Sequence, residues 1–178
     1  MQRVLATELA DIVGSNAVLD RPEDLLLYEY DGSVERAMPQ AVVFPSTTEE
    51  VARLVRWAAE KGLPIVPRGA GTGLSGGAVA AQGGLMIGFS RMKKILEIDI
   101  DDQRAVVQPG VVNLDLSSAV ASSGYYFAPD PSSQKACTLG GNVAENAGGP
   151  HTLAYGVTTN HVLGLEVVLP NGDVMHTG

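Results

Sequence analysis

Glycine is bunched along this chain: seven of its 21 glycines fall between Gly69 and Gly84, and a second group runs from Gly140 to Gly156. Glycine lacks Cβ, so such runs break helices and strands and bring bare main chain to a surface. Two such segments on an otherwise ordinary scaffold point to backbone that approaches a ligand. The first reads Pro67-Arg68-Gly69-Ala70-Gly71-Thr72-Gly73-Leu74-Ser75-Gly76-Gly77. The second starts at Phe127-Ala128-Pro129-Asp130-Pro131 and continues from Cys137 to Gly149.

The scaffold between them is legible from its periodicity. Val4, Leu5, Leu9, Ile12 and Val13 predict a helix over 3–13 that stops at Gly14. Ser46 or Thr47 ahead of Glu49 and Glu50 has capping-box spacing. Val51, Leu54, Val55 and Ala58 form the apolar stripe of a second helix ending at Gly62. Strands are expected at 41–44 and 63–66, which makes a βαβ unit bounded by Pro45 and Pro67. Further strands are expected at 85–89, 95–100, 104–108 and 163–169. Asp101-Asp102 and Asn171-Gly172 supply hairpin turns. Asn113 is expected to cap a short helix that runs through Val120 and ends near Gly124. Little sequence remains after Asn171-Gly172 for a returning strand, so the chain reads as an N-terminal fragment. Trp57 is assigned to core packing.

Composition narrows the function classes. Twenty acidic residues against 12 basic ones give a net charge of −8. The only adjacent basic pair is Lys93-Lys94, so a nucleic-acid partner is not expected. One cysteine, Cys137, cannot form an internal disulfide. No Asn is followed two positions later by Ser or Thr, and no long uncharged run opens the chain. The expectation is a cytoplasmic chain without a membrane span. His151, His161 and His176 lack metal-ligand spacing, so no metal is expected.

The first glycine segment follows a strand directly. Its amides, with Thr72 and Ser75 as hydroxyl donors and Arg68 as a charge, suit an anion such as a pyrophosphate. Gly71, Gly73 and Gly76 match GxGxxG, and Glu97 and Asp99 lie about twenty residues on, which raises a nicotinamide site. The residues after Gly76 are too rich in glycine to open the helix such a site needs. In the second segment, Asn142 and Asn146 offer donors and acceptors to a heteroaromatic ring or a ribitol chain.

Together, RGAGTGLSGG, PDPSSQKACTLGGNVAENAGG, Tyr155-Gly156-Val157-Thr158 and the run Leu163 to Gly172 resemble the FAD-binding domain of the vanillyl-alcohol oxidase type (PCMH-type). Within it, they resemble the branch of glycolate oxidase flavin subunits and D-lactate dehydrogenases. The resemblance covers essentially the whole chain. It implies an α+β fold of two subdomains with FAD between them, C-terminally truncated here and followed in the family by a substrate domain. The division expected is 1–92, carrying a pyrophosphate loop at 67–77, and 93–178, incomplete.

The resemblance also assigns roles by position. Pro67, Arg68, Gly69, Ala70, Gly71, Thr72, Gly73, Leu74 and Ser75 would wrap the FAD pyrophosphate. Pro129 and Asp130 would approach the adenosine and pyrophosphate side. Ser133, Cys137, Thr138, Gly140, Gly141, Asn142, Asn146 and Gly148 would line the flavin and ribityl chain, and the Val162 backbone would meet the adenine. The first loop has no His, which excludes histidyl attachment there. Cys137 corresponds to an unbonded Cys of the branch and reads as a buried, inert thiol, so FAD is expected to be noncovalent. His151 lies near the flavin by position and reads as a loop histidine.

The reaction implied is oxidation of a 2-hydroxy acid to a 2-oxo acid, with hydride passing to flavin N5. The catalytic base and the substrate-carboxylate ligands are expected outside this chain, and an electron acceptor or iron–sulfur partner subunit would reoxidise the flavin. Other branches of the family, such as ether-lipid synthases or amino-sugar reductases, remain open alternatives, as does a fragment inactive without its substrate domain.

Overall fold

The computed structural model describes residues 2–178, with side chains from residue 5 onward. Its contacts divide the chain into two units: the residues through Arg91 joined by Gly164–Gly178, and Met92–Leu163.

The first unit opens with helix α1 (Gln2–Val13), strand β1 (Val18–Leu19) and the single-turn helix α2 (Pro22–Leu25), whose Pro22 sits at the first helical turn. Strand β2 (Ala41–Val43), helix α3 (Thr48–Lys61), strand β3 (Ile65–Arg68) and strand β4 (Leu85–Gly88) follow. The sheet order is β1-β2-β4-β3, with β2, β4 and β3 parallel and β1 antiparallel at the edge. The expected βαβ unit is therefore split, because β4 lies between the two strands that α3 connects.

Alternation along the strands separates two cores. Ala41, Val43, Leu85 and Ile87 pack with Leu9 of α1 and Leu54 and Ala58 of α3. Val42 and Met86 point the other way, onto Leu25 of α2 and Ala80. Helix α3 begins where its sequence says it should. The Thr47 hydroxyl accepts from the Glu50 amide at 3.2 Å, and the Glu50 carboxylate accepts from the Ser46 amide at 2.6 Å. It ends at left-handed Gly62, with the Leu63 amide bonded to the Ala58 carbonyl at 2.9 Å.

The hairpin of β7 (Leu165–Val168) and β8 (Val174–Thr177) groups with this first unit, whereas the chain-order division had placed it in the second. The reason is its docking on α3. The Arg56 guanidinium donates to the Gly172 carbonyl at 2.6 Å, and the Thr48 hydroxyl bonds to Glu166.

The second unit contains the antiparallel hairpin of β5 (Ile95–Asp99) and β6 (Arg104–Val107), then helices α4 (Asn113–Val120), α5 (Leu139–Glu145) and α6 (Thr152–Tyr155). Its core is Val111, Leu116 and Leu139, flanked by Ile95, Val107 and Phe127. Asn113 does not cap α4, contrary to the sequence expectation: Val112 holds the cap position without a side-chain bond. The Asn113 amide is instead wholly buried and donates to the Pro129 carbonyl at 2.9 Å. No helix among the described residues is long and apolar enough to cross a membrane.

Candidate functional site

Each unit carries one of the glycine-rich segments, and the two are built differently. In the first unit β3 delivers Pro67 and Arg68, and the loop Gly69–Gly77 leaves the end of the strand. Among the described residues, none of the backbone amides from Gly69 to Gly77 donates a hydrogen bond to another protein group. A Cβ built on Gly73 would meet no atom within 4 Å, so nothing inside the chain demands glycine there. Leu74 and Ser75 are exposed at the tip. A row of unengaged amides on a loop without side-chain cover is suited to an anion.

Arg68 is placed differently from what its charge had led the sequence reading to expect. It is only 8% exposed, and its guanidinium donates to the carbonyls of Tyr30 (2.7 Å) and Ala78 (3.3 Å). It also lies over the Tyr28 ring, 5.6 Å from the centroid. Gly71, at φ +68°, leaves room for it, since a Cβ there would fall 2.3 Å from Arg68 Nη2.

The segment Tyr28–Ser33, which sequence reasoning passed over, supports the same loop. Buried Asp31 accepts from the Ser33 amide at 2.7 Å and the Ala78 amide at 3.4 Å. Burial opposes its ionisation, but these bonds and the Arg68 charge outweigh it and hold its pKa below the usual carboxylate range. A Cβ on Gly32 would sit 2.7 Å from the Gly73 carbonyl. The available signal was an Asp-Gly-Ser turn flanked by tyrosines, which on its own reads as a surface turn.

In the second unit, Thr138 caps α5 by accepting from the Gly141 amide at 3.3 Å. The helix carries Gly140, Gly141 and Asn142, within a run whose glycine content disfavours a helix. Gly140 is there for packing, because a Cβ would lie 2.6 Å from Pro109 Cβ. Asn146 ends α5 in a left-handed conformation, and its carbonyl oxygen accepts from the amide and hydroxyl of Thr159, at 3.0 and 2.7 Å. Gly148 packs on Thr152, and Gly149, at φ +148°, packs on Asp130, 2.3 Å from a built Cβ to the Asp130 carbonyl oxygen.

Asp130 accepts from the His151 amide at 3.3 Å and contacts His151 Nδ1 at 2.5 Å. The His151 side-chain bond is the main reason its pKa lies below the usual carboxylate range, with burial opposing. This ties the Pro129–Ser133 stretch to Gly148–Gly149. The Val162 amide is used within its own turn, bonded to the Thr159 carbonyl at 3.4 Å.

Among the described residues of this unit two buried polar atoms lack a geometrically sound hydrogen bond: Asn142 Nδ2, in a residue 2% exposed, whose approach to the Cys137 thiol is weak, and Asn113 Oδ1. A buried amide group left unsatisfied costs about 1–3 kcal/mol, so each needs a reason. Cys137 is buried; desolvation pushes its pKa up against the opposing pull of Ser133 and the nearby Asn142 amide, which keeps the thiol protonated at neutral pH. Among the described residues no group of three or more His, Cys, Asp or Glu is arranged to hold a metal. In the first unit the unengaged loop amides suit an anion such as a diphosphate, and in the second the orphaned Asn142 donor suits a polar acceptor on a ligand.

Comparison with known proteins gives that ligand a name. The family described as FAD binding domain matches residues 39–178. The glycolate oxidase subunit GlcD of Bacillus subtilis (strain 168) is 46% identical over 172 residues, 96% of this chain and 37% of its own length. A D-lactate dehydrogenase of Anaerostipes hadrus is 42% identical over 143 residues, 80% of this chain and 30% of its own. The chain thus spans about a third of the length of these relatives. Among solved structures, an alkyldihydroxyacetonephosphate synthase superposes with a TM-score of 0.88 at 24% identity, over 99% of this chain and 38% of its own; that likeness concerns the fold alone.

Proposed function

Because the chain belongs to the FAD-binding domain family, we propose that it forms the cofactor-holding part of a flavin-dependent oxidoreductase that oxidises a 2-hydroxy acid, of glycolate or D-lactate type, to the 2-oxo acid. The observation that carries the cofactor assignment is the loop Gly69–Gly77, with its amides turned to no acceptor in the protein. The substrate class rests on the names of the relatives, a glycolate oxidase subunit and a D-lactate dehydrogenase.

In this reading the amides of Gly69 to Ser75 and the Thr72 hydroxyl neutralise the pyrophosphate, and open Gly73 lets it reach the main chain. Asn142 Nδ2 donates to a carbonyl, ring nitrogen or hydroxyl of the flavin or ribityl chain, which discharges the cost of its burial. Asn113 and Asp130 act through their neighbours: Asn113 fixes Pro129, and Asp130 holds the Gly148–Gly149 bend through His151. FAD, when bound, supplies the hydride acceptor. The first loop contains no histidine and the Cys137 thiol is buried, so the cofactor is held without a covalent bond. The substrate's carboxylate ligands and catalytic base are assigned to sequence beyond these residues, and reoxidation to an electron acceptor or an iron–sulfur partner.

The test is spectroscopic. This chain, purified, is expected to be yellow and to release FAD into the supernatant on denaturation; a longer protein that also carries the substrate ligands and base is expected to bleach anaerobically with glycolate, D-lactate or a related D-2-hydroxy acid. A longer protein that takes up FAD but is bleached by none of these would remove the substrate assignment and leave the cofactor assignment standing.

A further inference from the structure

We propose that Arg68 is a positioning residue: its guanidinium ties the turn at Tyr30 to the backbone at Ala78, on either side of the glycine loop, so that the loop amides face a phosphate which the arginine itself does not bind. The inference rests on the reading of this loop as the FAD pyrophosphate site.

Three observations carry it. First, one guanidinium nitrogen, Nη1, donates to main-chain carbonyls on both sides of the loop, Tyr30 ahead of it and Ala78 behind it, at 2.7 and 3.3 Å, in a residue only 8% exposed. A buried nitrogen shared between carbonyls so far apart in sequence braces two backbone segments. Second, the loop is shaped around it. Gly71 has a left-handed φ of +68°, and any side chain there would strike the guanidinium. Third, its positive charge has partners within the protein: burial lowers its pKa, and the Asp31 carboxylate and the face of Tyr28 offset part of that cost.

The brace also explains why Gly32 is glycine. The turn it closes runs so near the loop that a Cβ would collide with the Gly73 carbonyl. The Thr72 and Gly73 carbonyls both lie against Gly32, so the amides of Gly73 and Leu74, which point the opposite way across each trans peptide plane, face away from that turn.

The discriminating variant is Arg68→Lys, which keeps the charge but loses the planar group that lies over Tyr28 and sets Nη1 between the two carbonyls. FAD and ADP dissociation constants would be measured for wild type, Arg68→Lys, Arg68→Met and Tyr28→Leu, each across a salt series, alongside thermal melting of the cofactor-free protein. The brace predicts that Lys and Met weaken FAD and ADP alike, by about tenfold or more, with the salt dependence of binding unchanged. Tyr28→Leu, which removes only the ring face, is expected to cost about threefold and covers the case in which the arginine variants do not fold.

Retention of near wild-type affinity by Arg68→Lys, or a salt dependence that flattens in Arg68→Met, would mean a direct phosphate contact and would overturn the brace. So would Tyr28→Leu binding as tightly as wild type. A wild-type protein that binds neither FAD nor ADP would instead remove the pyrophosphate reading itself.

Discussion

The two glycine-rich segments have similar composition and opposite physical uses. In Gly69–Gly77 Gly71 makes room for Arg68, but the tip is open: Gly73 has no neighbour within 4 Å of a built Cβ, and among the described residues the loop amides have no acceptor. In Gly140–Gly149 the glycines let the protein's own atoms close up, with Gly140 on Pro109, Gly148 on Thr152 and Gly149 on Asp130. The first segment is open for a ligand. The second is a packed scaffold that positions a few polar side chains, above all Asn142. Glycine content alone does not distinguish these cases; what a Cβ would meet does.

The difference breaks most sharply at Gly149. Gly149→Val places a β-branched residue at φ +148° against the Asp130 carbonyl, and is expected to destabilise the second unit by about 3 kcal/mol or more. Urea unfolding checks this, and a variant within about 0.5 kcal/mol of wild type would show that the close packing is not required. A smaller effect, of the opposite sign, is expected at Asn142. Replacing a buried amide that lacks a partner by Leu removes a desolvation cost, so Asn142→Leu should leave the cofactor-free protein as stable as wild type or about 1 kcal/mol more stable, while FAD affinity falls. Loss of both stability and affinity would make Asn142 a structural residue.

The smallest effect is the pH dependence at Asp130. Its pKa is depressed, chiefly by the His151 hydrogen bond, so it stabilises the folded state above its unfolded value and that contribution disappears as pH falls through the folded value. Asp130→Asn should therefore be less stable than wild type near neutrality, with the gap closing on acidification below about pH 4. Melting temperatures of both proteins from pH 7 to pH 3 test the sign, and a gap that widens on acidification would contradict it.

Much of the scaffold was readable from local pattern because local physics decides it. Thr47, Glu50 and Gly62 mark the two ends of α3, and short apolar runs mark β2 and β4. Elements set by long-range contacts were not readable. Two glycines and an asparagine are poor helix formers, yet α5 forms because Thr138 caps it and Gly140 closes onto Pro109. Asn113 looked like a cap by residue type, but burial and the Pro129 carbonyl decided its role. The docking of the Leu165–Thr177 hairpin on α3 depends on Arg56 and Thr48, more than a hundred residues earlier. At the candidate site, the loop was legible as exposed main chain. Its support from Tyr28, Asp31 and Gly32 was not, since that segment has no signature of its own until the fold brings it to Arg68.

The claim that the first segment is open for a ligand is tested most directly by Gly73→Val, measured by FAD titration together with thermal melting of the cofactor-free protein. The open environment predicts a melting temperature close to wild type and an FAD dissociation constant at least about a hundredfold higher, because a branched side chain would stand where phosphate must approach the main chain. An unchanged dissociation constant would contradict the assignment of the loop to the FAD pyrophosphate, and a collapsed melting temperature would contradict the openness inferred at Gly73.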